Sequence, residues 1–272
     1  MCGIVGIYGV PEAAKYVFYG LYALQHRGQE GAGIAVFDGQ KIREYKNLGL
    51  VSEVFNEKIL QELSGEIAIG HVRYSTTGSS VLQNVQPFCV KYAKKTLALA
   101  HNGNLINAHA LRCKLEDKGH IFQTTLDSEV IVHLIVKNLK AGLLYAITEA
   151  MKEIKGAYSV ILLWENTLVA FRDPWGFRPL ALGMINGGYA LASETCAFDL
   201  LGVEYLRDVN PGEIIIIDEK GLQSFFPFKE ENYPLSHCIF EFIYFSRPDS
   251  LVFHKNVYAV RKNLGFNLYK EC

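Results

Sequence analysis

From Ala157 to Asp218 the chain runs through AYSVILLW, TLVAFRD, LALGMI, GYALAS and GEIIIID, short apolar stretches set apart by turn-forming residues. Runs of this length, rich in β-branched and aromatic side chains, read as strands. Asn186-Gly187-Gly188 and Glu219-Lys220-Gly221 read as hairpin turns between them. Strands joined in this way demand an antiparallel sheet.

Upstream, CGIVGIYG reads as a first strand, and EAAKYVFYGLYALQ as the helix that follows, with Pro11 where a first turn tolerates it. GAGIAVFDGQKIREYKNLG predicts a hairpin turning at Asp38-Gly39, EIAIGHVRY a further strand, and TLALAHNGNL a strand that ends in a turn. DSEVIVHLIVKNL and LLYAITEAMKEI carry apolar residues at helical spacing. Hairpin strands interrupted by a few helices make this an α+β chain of antiparallel sheets with helices packed on them. Around FPFKEENYPLSH the pattern breaks into proline, charge and aromatics, which marks the exit from the main domain. Beyond it CIFEFIYFSRPDS reads as a strand and turn, and KNVYAVRKNLGFNLYKEC as a helix that stops without a capping signal. The chain therefore reads as a fragment of something longer.

Its 272 residues are ample for a full hydrophobic core. With 27 basic and 28 acidic residues the net charge is −1, so nothing attracts a phosphate backbone and no nucleic-acid partner is expected. The amino terminus has no basic leader, and no apolar run is long enough to span a bilayer; a cytoplasmic protein without a membrane partner is expected. Cys2, Cys89, Cys113, Cys196, Cys238 and Cys272 form no C-x-x-C pair, and the histidines show no zinc-ligand spacing. A reducing compartment fits, and a metal site complete within the chain does not.

Chemistry concentrates in a few stretches. Cys2 stands directly behind the initiator methionine. As an ordinary small hydrophobe it would begin a strand; after removal of Met1 it would carry a thiol and a free α-amine, a nucleophile joined to its own base. In GHVRYSTTG, alternation puts Ile67, Ile69, His71 and Arg73 on one face, either as a strand end reaching solvent or as an arginine offered to a carboxylate. Asn102-Gly103 is a common tight-turn pair, and also a side-chain amide beside a bare backbone N–H, two donors suited to an oxyanion. Asp127 and Glu129 open a helix, where carboxylates cap N–H groups or hold a substrate ammonium. In LQHRGQEGAGIA, Gly28, Gly31 and Gly33 allow turns and close backbone approach, and Arg27 is either a surface residue or part of a loop that folds over a ligand.

Taken together, CGIVGIYG, LYALQHRGQEGAGIA, HVRYSTTG, HNGNL and LDSEV resemble the class II glutamine amidotransferases, whose glutaminase domain is an N-terminal nucleophile hydrolase. QHRGQEGAG, RDPWGFRPLALG, ASETCAFDLLGVEYLRDVNPGEIIIID and FEFIYFSRPDS are most similar to the amidophosphoribosyltransferase branch, which begins purine synthesis. The resemblance covers essentially the whole chain. It implies a four-layer αββα sandwich of two antiparallel sheets. It further implies that Cys2 is the nucleophile, that Asn102 and Gly103 form the oxyanion hole, and that Arg73 and Asp127 hold the glutamine carboxylate and amino group. Thr76 and Gly28 match positions lining the glutamine pocket, and Arg27 and Tyr74 match residues that close it. A Cys-His pair using His71 or His101 is the competing mechanism.

The same resemblance divides the chain into a glutaminase domain over 2–230 and, over 231–272, a linker with the start of a phosphoribosyltransferase domain that is otherwise missing. The glutaminase reaction then needs no cofactor. The full-length family enzyme uses magnesium and phosphoribosyl pyrophosphate, and in some members a 4Fe-4S cluster for which Cys238 matches one ligand. A homo-oligomer is the expected assembly. The alternatives are an N-terminal nucleophile hydrolase acting on another amide, and a non-catalytic remnant that keeps the pocket.

Overall fold

The computed structural model describes residues 1–75 and 79–271. The first strand, β1 (Gly3–Tyr8), leads into helix α1 (Ala13–Ala23) and the hairpin β2 (Gly31–Phe37) and β3 (Ile42–Leu48). Two short helices, α2 (Val51–Val54) and α3 (Glu57–Glu62), precede β4 (Ile67–Arg73). Then come β5 (Phe88–Tyr92), β6 (Lys95–Leu105) and helices α4 (Ala108–Glu116), α5 (Ser128–Asn138) and α6 (Leu143–Glu153). The meander continues through β7 (Gly156–Trp164), β8 (Thr167–Arg172), β9 (Ala181–Ile185) and β10 (Gly188–Ala192). It closes with α7 (Cys196–Leu201), β11 (Glu204–Asp208), β12 (Ile214–Asp218), β13 (Gly221–Phe225) and the helix α8 (Val257–Glu271).

These strands form two antiparallel sheets, ordered β11-β9-β10-β1-β4-β2-β3 and β13-β12-β8-β7-β6-β5. Period-two alternation gives each sheet two apolar faces. One face of the first sheet packs Ala68 and Val72 against Val17 and Leu21 of α1 and Phe198 of α7. The outer face of the second packs Leu97, Leu99 and Leu162 against Val130, Ile131 and Leu134 of α5 and Ile147 of α6. Between the sheets lie Ile4, Ile67, Ile69, Ala98, Ala100, Ile161 and Leu168, all buried. At about 1.5–3 kcal/mol for each large aliphatic side chain taken from water, this inter-sheet layer is a principal source of stability. The result is the expected αββα sandwich. Among the described residues no helix is long and apolar enough to cross a membrane.

The structure corrects two local readings. Asn102-Gly103 is not a turn: β6 runs straight through it, pairing Leu97–Leu105 with Gly156–Trp164 of β7, and that long ladder overrides the local turn preference. The FEFIYF segment is not a strand but a π-helical turn over Glu241–Phe245, in which the Ser246 N–H donates to the Glu241 carbonyl at 3.0 Å. Glu241 is fully buried there against Arg27, so a side-chain ion pair, not hydrophobic alternation, decides its backbone. Helix α8 forms over the stretch expected to be helical, and Arg261 ties it to the π-helical turn through the Phe242 and Ser246 carbonyls.

Candidate active site

The site lies where the inter-sheet layer runs out of apolar residues. Ile4 on β1 lies in that layer, and alternation sends Cys2, two residues earlier, to the same side. The register pairs Ile4 with His71 and Gly3 with Val72, which brings Cys2 beside Arg73 at the end of β4. On β4 the Ile67–Ile69 file continues as His71 and Arg73; on β6 the Ala98–Ala100 file continues as Asn102. Two strand ends from two sheets thus place their polar residues in one corner.

Cys2 is buried, and its thiol donates to the Tyr74 carbonyl at 3.5 Å. Burial pushes the thiol pKa up, opposed by that hydrogen bond and by the positive charges of the chain-terminal amine and Arg73, while Asp127 adds to the rise. The terminal amine, carried by Met1, is itself buried and drops to about 6. Burial therefore favours the neutral forms of both groups.

Arg73 is buried and donates from Nη1 to the Asn84 carbonyl at 3.0 Å and from Nη2 to the Ser79 carbonyl at 3.1 Å; its Nε lies 3.7 Å from Glu30 Oε2. Glu30 also accepts from the Ser75 N–H and hydroxyl and from the Ser80 hydroxyl, at 2.8, 2.7 and 2.6 Å, so one carboxylate grips both ends of the 75–80 segment. Although burial opposes it, these bonds hold Glu30 below its ordinary pKa. Asn84 links this segment to Thr125, two residues from Asp127.

The outer edge of β6 is the most informative feature. The His101 N–H donates to Gln86 Oε1 at 2.8 Å, and the Leu105 N–H to Asp127 Oδ2 at 2.9 Å. Because N–H directions alternate along an antiparallel strand, the Gly103 N–H points the same way, between those two. Consistently, the N–H and C=O of Tyr158, opposite Gly103 on β7, are committed to Asp173. Asn102 is completely buried, yet among the described residues neither its Oδ1 nor its Nδ2 has a hydrogen-bond partner. A buried amide left open at both ends costs free energy unless something binds it. A side chain at position 103 would put its Cβ 2.0 Å from the Ala157 carbonyl oxygen and 2.6 Å from His101 Nε2, so only glycine fits.

Asp127 stands at the start of α5 but makes no side-chain cap. Its Oδ2 is bound by Leu105 and its Oδ1 faces the Ser128 hydroxyl at 3.3 Å. Glu129 instead takes the structural role, accepting from the Gln123 and Thr124 N–H groups and the Thr124 hydroxyl. Neither histidine is paired with the thiol. His101 Nδ1 meets the Ser128 hydroxyl at 2.9 Å, and burial lowers His71 to about 3, too weak a base to share a thiol proton.

The remaining residues singled out in the sequence have different settings. Arg27 is fully buried: Nε donates to the Cys2 carbonyl at 3.0 Å, Nη1 to Glu194 at 2.5 Å, and Nη1 and Nη2 to the two oxygens of Glu241 at 2.9 and 3.0 Å. Gly28 crosses the end of β4 so closely that a Cβ would meet the Arg73 carbonyl at 2.6 Å. Tyr74 holds the thiol through its backbone while its side chain is exposed. Thr76 lies outside the described residues. Cys238 is half-buried, and its N–H donates to the Phe177 carbonyl. A cluster needs several thiolates, and the group of prospective ligands found among the described residues, His26, Glu194 and Cys196, does not include Cys238. Those residues do not complete a cluster site around it. Glu30, Asn84, Gln86 and Glu194 escaped the sequence reading, because each acts through a contact distant in sequence that no local spacing encodes.

Residues 71–199 match the model of a glutamine amidotransferase domain. The chain is 50% identical over 271 residues to a chloroplastic amidophosphoribosyltransferase of Vigna aconitifolia, covering 99% of this chain and 55% of the relative. It is 47% identical over 289 residues to the amidophosphoribosyltransferase of Methanocaldococcus jannaschii, covering 100% of this chain and 61% of the relative. Among solved structures, the glutamine phosphoribosylpyrophosphate amidotransferase of B. subtilis, complexed with ADP and GMP, superposes with a TM-score of 0.94 at 46% identity, covering 100% of this chain and 58% of that one. The chain thus spans about half the length of the curated relatives it matches.

Proposed function

Since this chain carries the glutamine amidotransferase domain of the amidophosphoribosyltransferase family, we propose that it hydrolyses glutamine to glutamate and ammonia with Cys2 as the nucleophile. The observation that carries this reading is the partnerless, fully buried Asn102 amide beside the outward Gly103 N–H, in the corner that also holds the Cys2 thiol. Two donors without an acceptor suit an oxyanion.

Removal of Met1 leaves the Cys2 α-amine within reach of its own thiol. Burial favours the neutral thiol over the thiolate, so a base must take the proton from sulfur as the C–S bond forms. The amine takes that proton as sulfur attacks the side-chain amide carbon, and the carbonyl oxygen becomes an oxyanion held by Asn102 Nδ2 and the Gly103 N–H. The protonated amine then hands its proton to the departing nitrogen. Ammonia leaves, a γ-glutamyl thioester remains, and water activated by the same amine releases glutamate and restores the thiol. Arg73 binds the substrate carboxylate and Asp127 its ammonium; Thr76 and Gly28 line the pocket and Tyr74 closes it, while Arg27, locked in its ion pairs, supports the Cys2 carbonyl from behind.

The glutaminase unit spans 2–230, and 231–272 leads into a phosphoribosyltransferase domain. Joined to that further length, the ammonia displaces pyrophosphate from phosphoribosyl pyrophosphate, with magnesium, to give 5-phosphoribosylamine in the cytoplasm. The test is glutamate release by the purified chain, with Cys2→Ala as control and intact mass to establish whether Met1 is gone. Turnover that is lost in Cys2→Ala and is faster on glutamine than on asparagine or simple acyl amides is expected. No release of glutamate overturns the reading, and full-rate release by a chain that retains Met1 overturns the role of the amine.

A further inference from the structure

His71 is more puzzling than any residue the mechanism uses. It sits in the middle of the first sheet, paired with Ile4 on one side and Gly33 on the other, and none of it is exposed. The two preceding positions on its face are Ile67 and Ile69, both inside the inter-sheet layer. Another aliphatic side chain would suit that layer better, because both ring nitrogens of His71 are buried without a hydrogen-bond partner among the described residues. Burial, Arg73 and His101 keep the ring neutral, so it has one N–H to donate and one lone pair to accept.

Across the gap between the sheets, the β4 file of Ile67 and Ile69 that leads to His71 shares one apolar layer with the β6 file of Ala98 and Ala100 that leads to Asn102; the His101 backbone there favours the protonated ring, yet neither ring nitrogen makes a hydrogen bond of normal geometry. The two residues after His101 are Asn102 and Gly103. His71 therefore lies between the strand beside the nucleophile and the stretch of β6 that carries both oxyanion donors.

We propose that His71 is a positioning residue for the oxyanion hole: its ring N–H closes onto the His101 carbonyl when an acyl substrate fills the hole, and so fixes Asn102 and Gly103 against the strand beside the thiol. The inference rests on the glutaminase reading above. It also explains why a polar ring is kept where an aliphatic one would be more stable, since preorganised donors lower the barrier at a cost to the resting fold.

The experiment compares His71→Leu, His71→Gln, Asn102→Ala and the His71→Leu/Asn102→Ala double variant in the full chain, by glutamate release and thermal unfolding. His71→Leu is expected to lower kcat at least about tenfold with little change in KM, while the unfolding midpoint stays level or rises. His71→Gln, which retains a donor, recovers part of the rate. The double variant is no slower than Asn102→Ala alone, because His71 acts through that segment. The proposal is overturned if His71→Leu keeps kcat within about twofold of the wild type, or if the two substitutions multiply. A lower midpoint with no recovery in His71→Gln overturns it equally, as the mark of a packing role. Absence of turnover in the wild-type chain sinks the glutaminase reading and this proposal with it; turnover that ignores His71 sinks only this proposal.

Discussion

Replacing Arg27 with methionine tests the buried ion-pair network most directly. The guanidinium has no exposed side-chain surface and meets two carboxylates, Glu194 and Glu241, that have none either. Methionine preserves much of the volume, so the loss is electrostatic: two buried carboxylates lose the guanidinium between them, and among the described residues Glu241 keeps only Arg178 as a cation, at 3.6 Å. Removing one partner of such a pair costs about 3–5 kcal/mol. At roughly 2–4 °C per kcal/mol for a domain of this size, the midpoint of unfolding should fall by about 6–20 °C. The pH dependence gives a sharper signature. In the wild type, burial would raise Glu194, but Arg27 and His26 overcome it and hold the group at about 2. That depressed pKa contributes roughly 3 kcal/mol above the unfolded carboxylate pKa, lost only as pH falls toward 2. Without Arg27, burial dominates and the folded-state pKa rises above the unfolded one. Stability of the variant then declines as pH rises through that interval, although His26, Ser250 and the Arg247 N–H still face the carboxylate. Thermal melts of both proteins at pH 5 and pH 7.5 should show a larger deficit at the higher pH, partly recovered by Glu241→Gln in the Arg27→Met background. A midpoint shift under about 2 °C, or an equal deficit at both values, would refute the claim that these charges depend on one another.

Loss of the Asn102 amide in Asn102→Ala should lower kcat by about 10²–10³, the equivalent of one oxyanion donor, with glutamine KM nearly unchanged and no fall in the unfolding midpoint; steady-state kinetics beside a melt decide it. Gly103→Ala should behave differently, losing both rate and fold stability, because its Cβ collides with the Ala157 carbonyl and the β6–β7 ladder must shift; a normal melt would contradict the packing argument. Arg73→Ala and Asp127→Ala should chiefly raise the glutamine KM, by about 10–100-fold each, if they hold the two charged ends of the substrate. Unchanged KM in both would show that the pocket has been placed wrongly.

Much of this architecture was legible because hydrophobic alternation and turn chemistry agree along most of the chain. The β2–β3 hairpin, β7 through β10 and the helices α5 and α6 follow directly from pattern. Helix α4 and strands β5 and β11 did not stand out, since AHALRCKLE, FCVKY and EYLRD are short and half polar, and their packing partners are distant in sequence. Asn102-Gly103 misled for an instructive reason: its local preference is a turn, and only the length of the β7 ladder makes it a strand. Departures of this kind gather where function is expected, because a site tolerates what a purely structural segment would not.

Why the reactive groups gather in this corner follows from the sandwich itself. Two sheets that share an apolar layer must end somewhere, and at that end each strand's inward file meets positions that packing no longer dictates. Cys2, Arg73 and Asn102 fill those positions on β1, β4 and β6. The ladders behind them hold their backbones in place, which suits the role proposed for Asn102 and Gly103. The cost appears as open amide and imidazole groups held out of water, and the long apolar files deeper in the same layer provide the stability that offsets it.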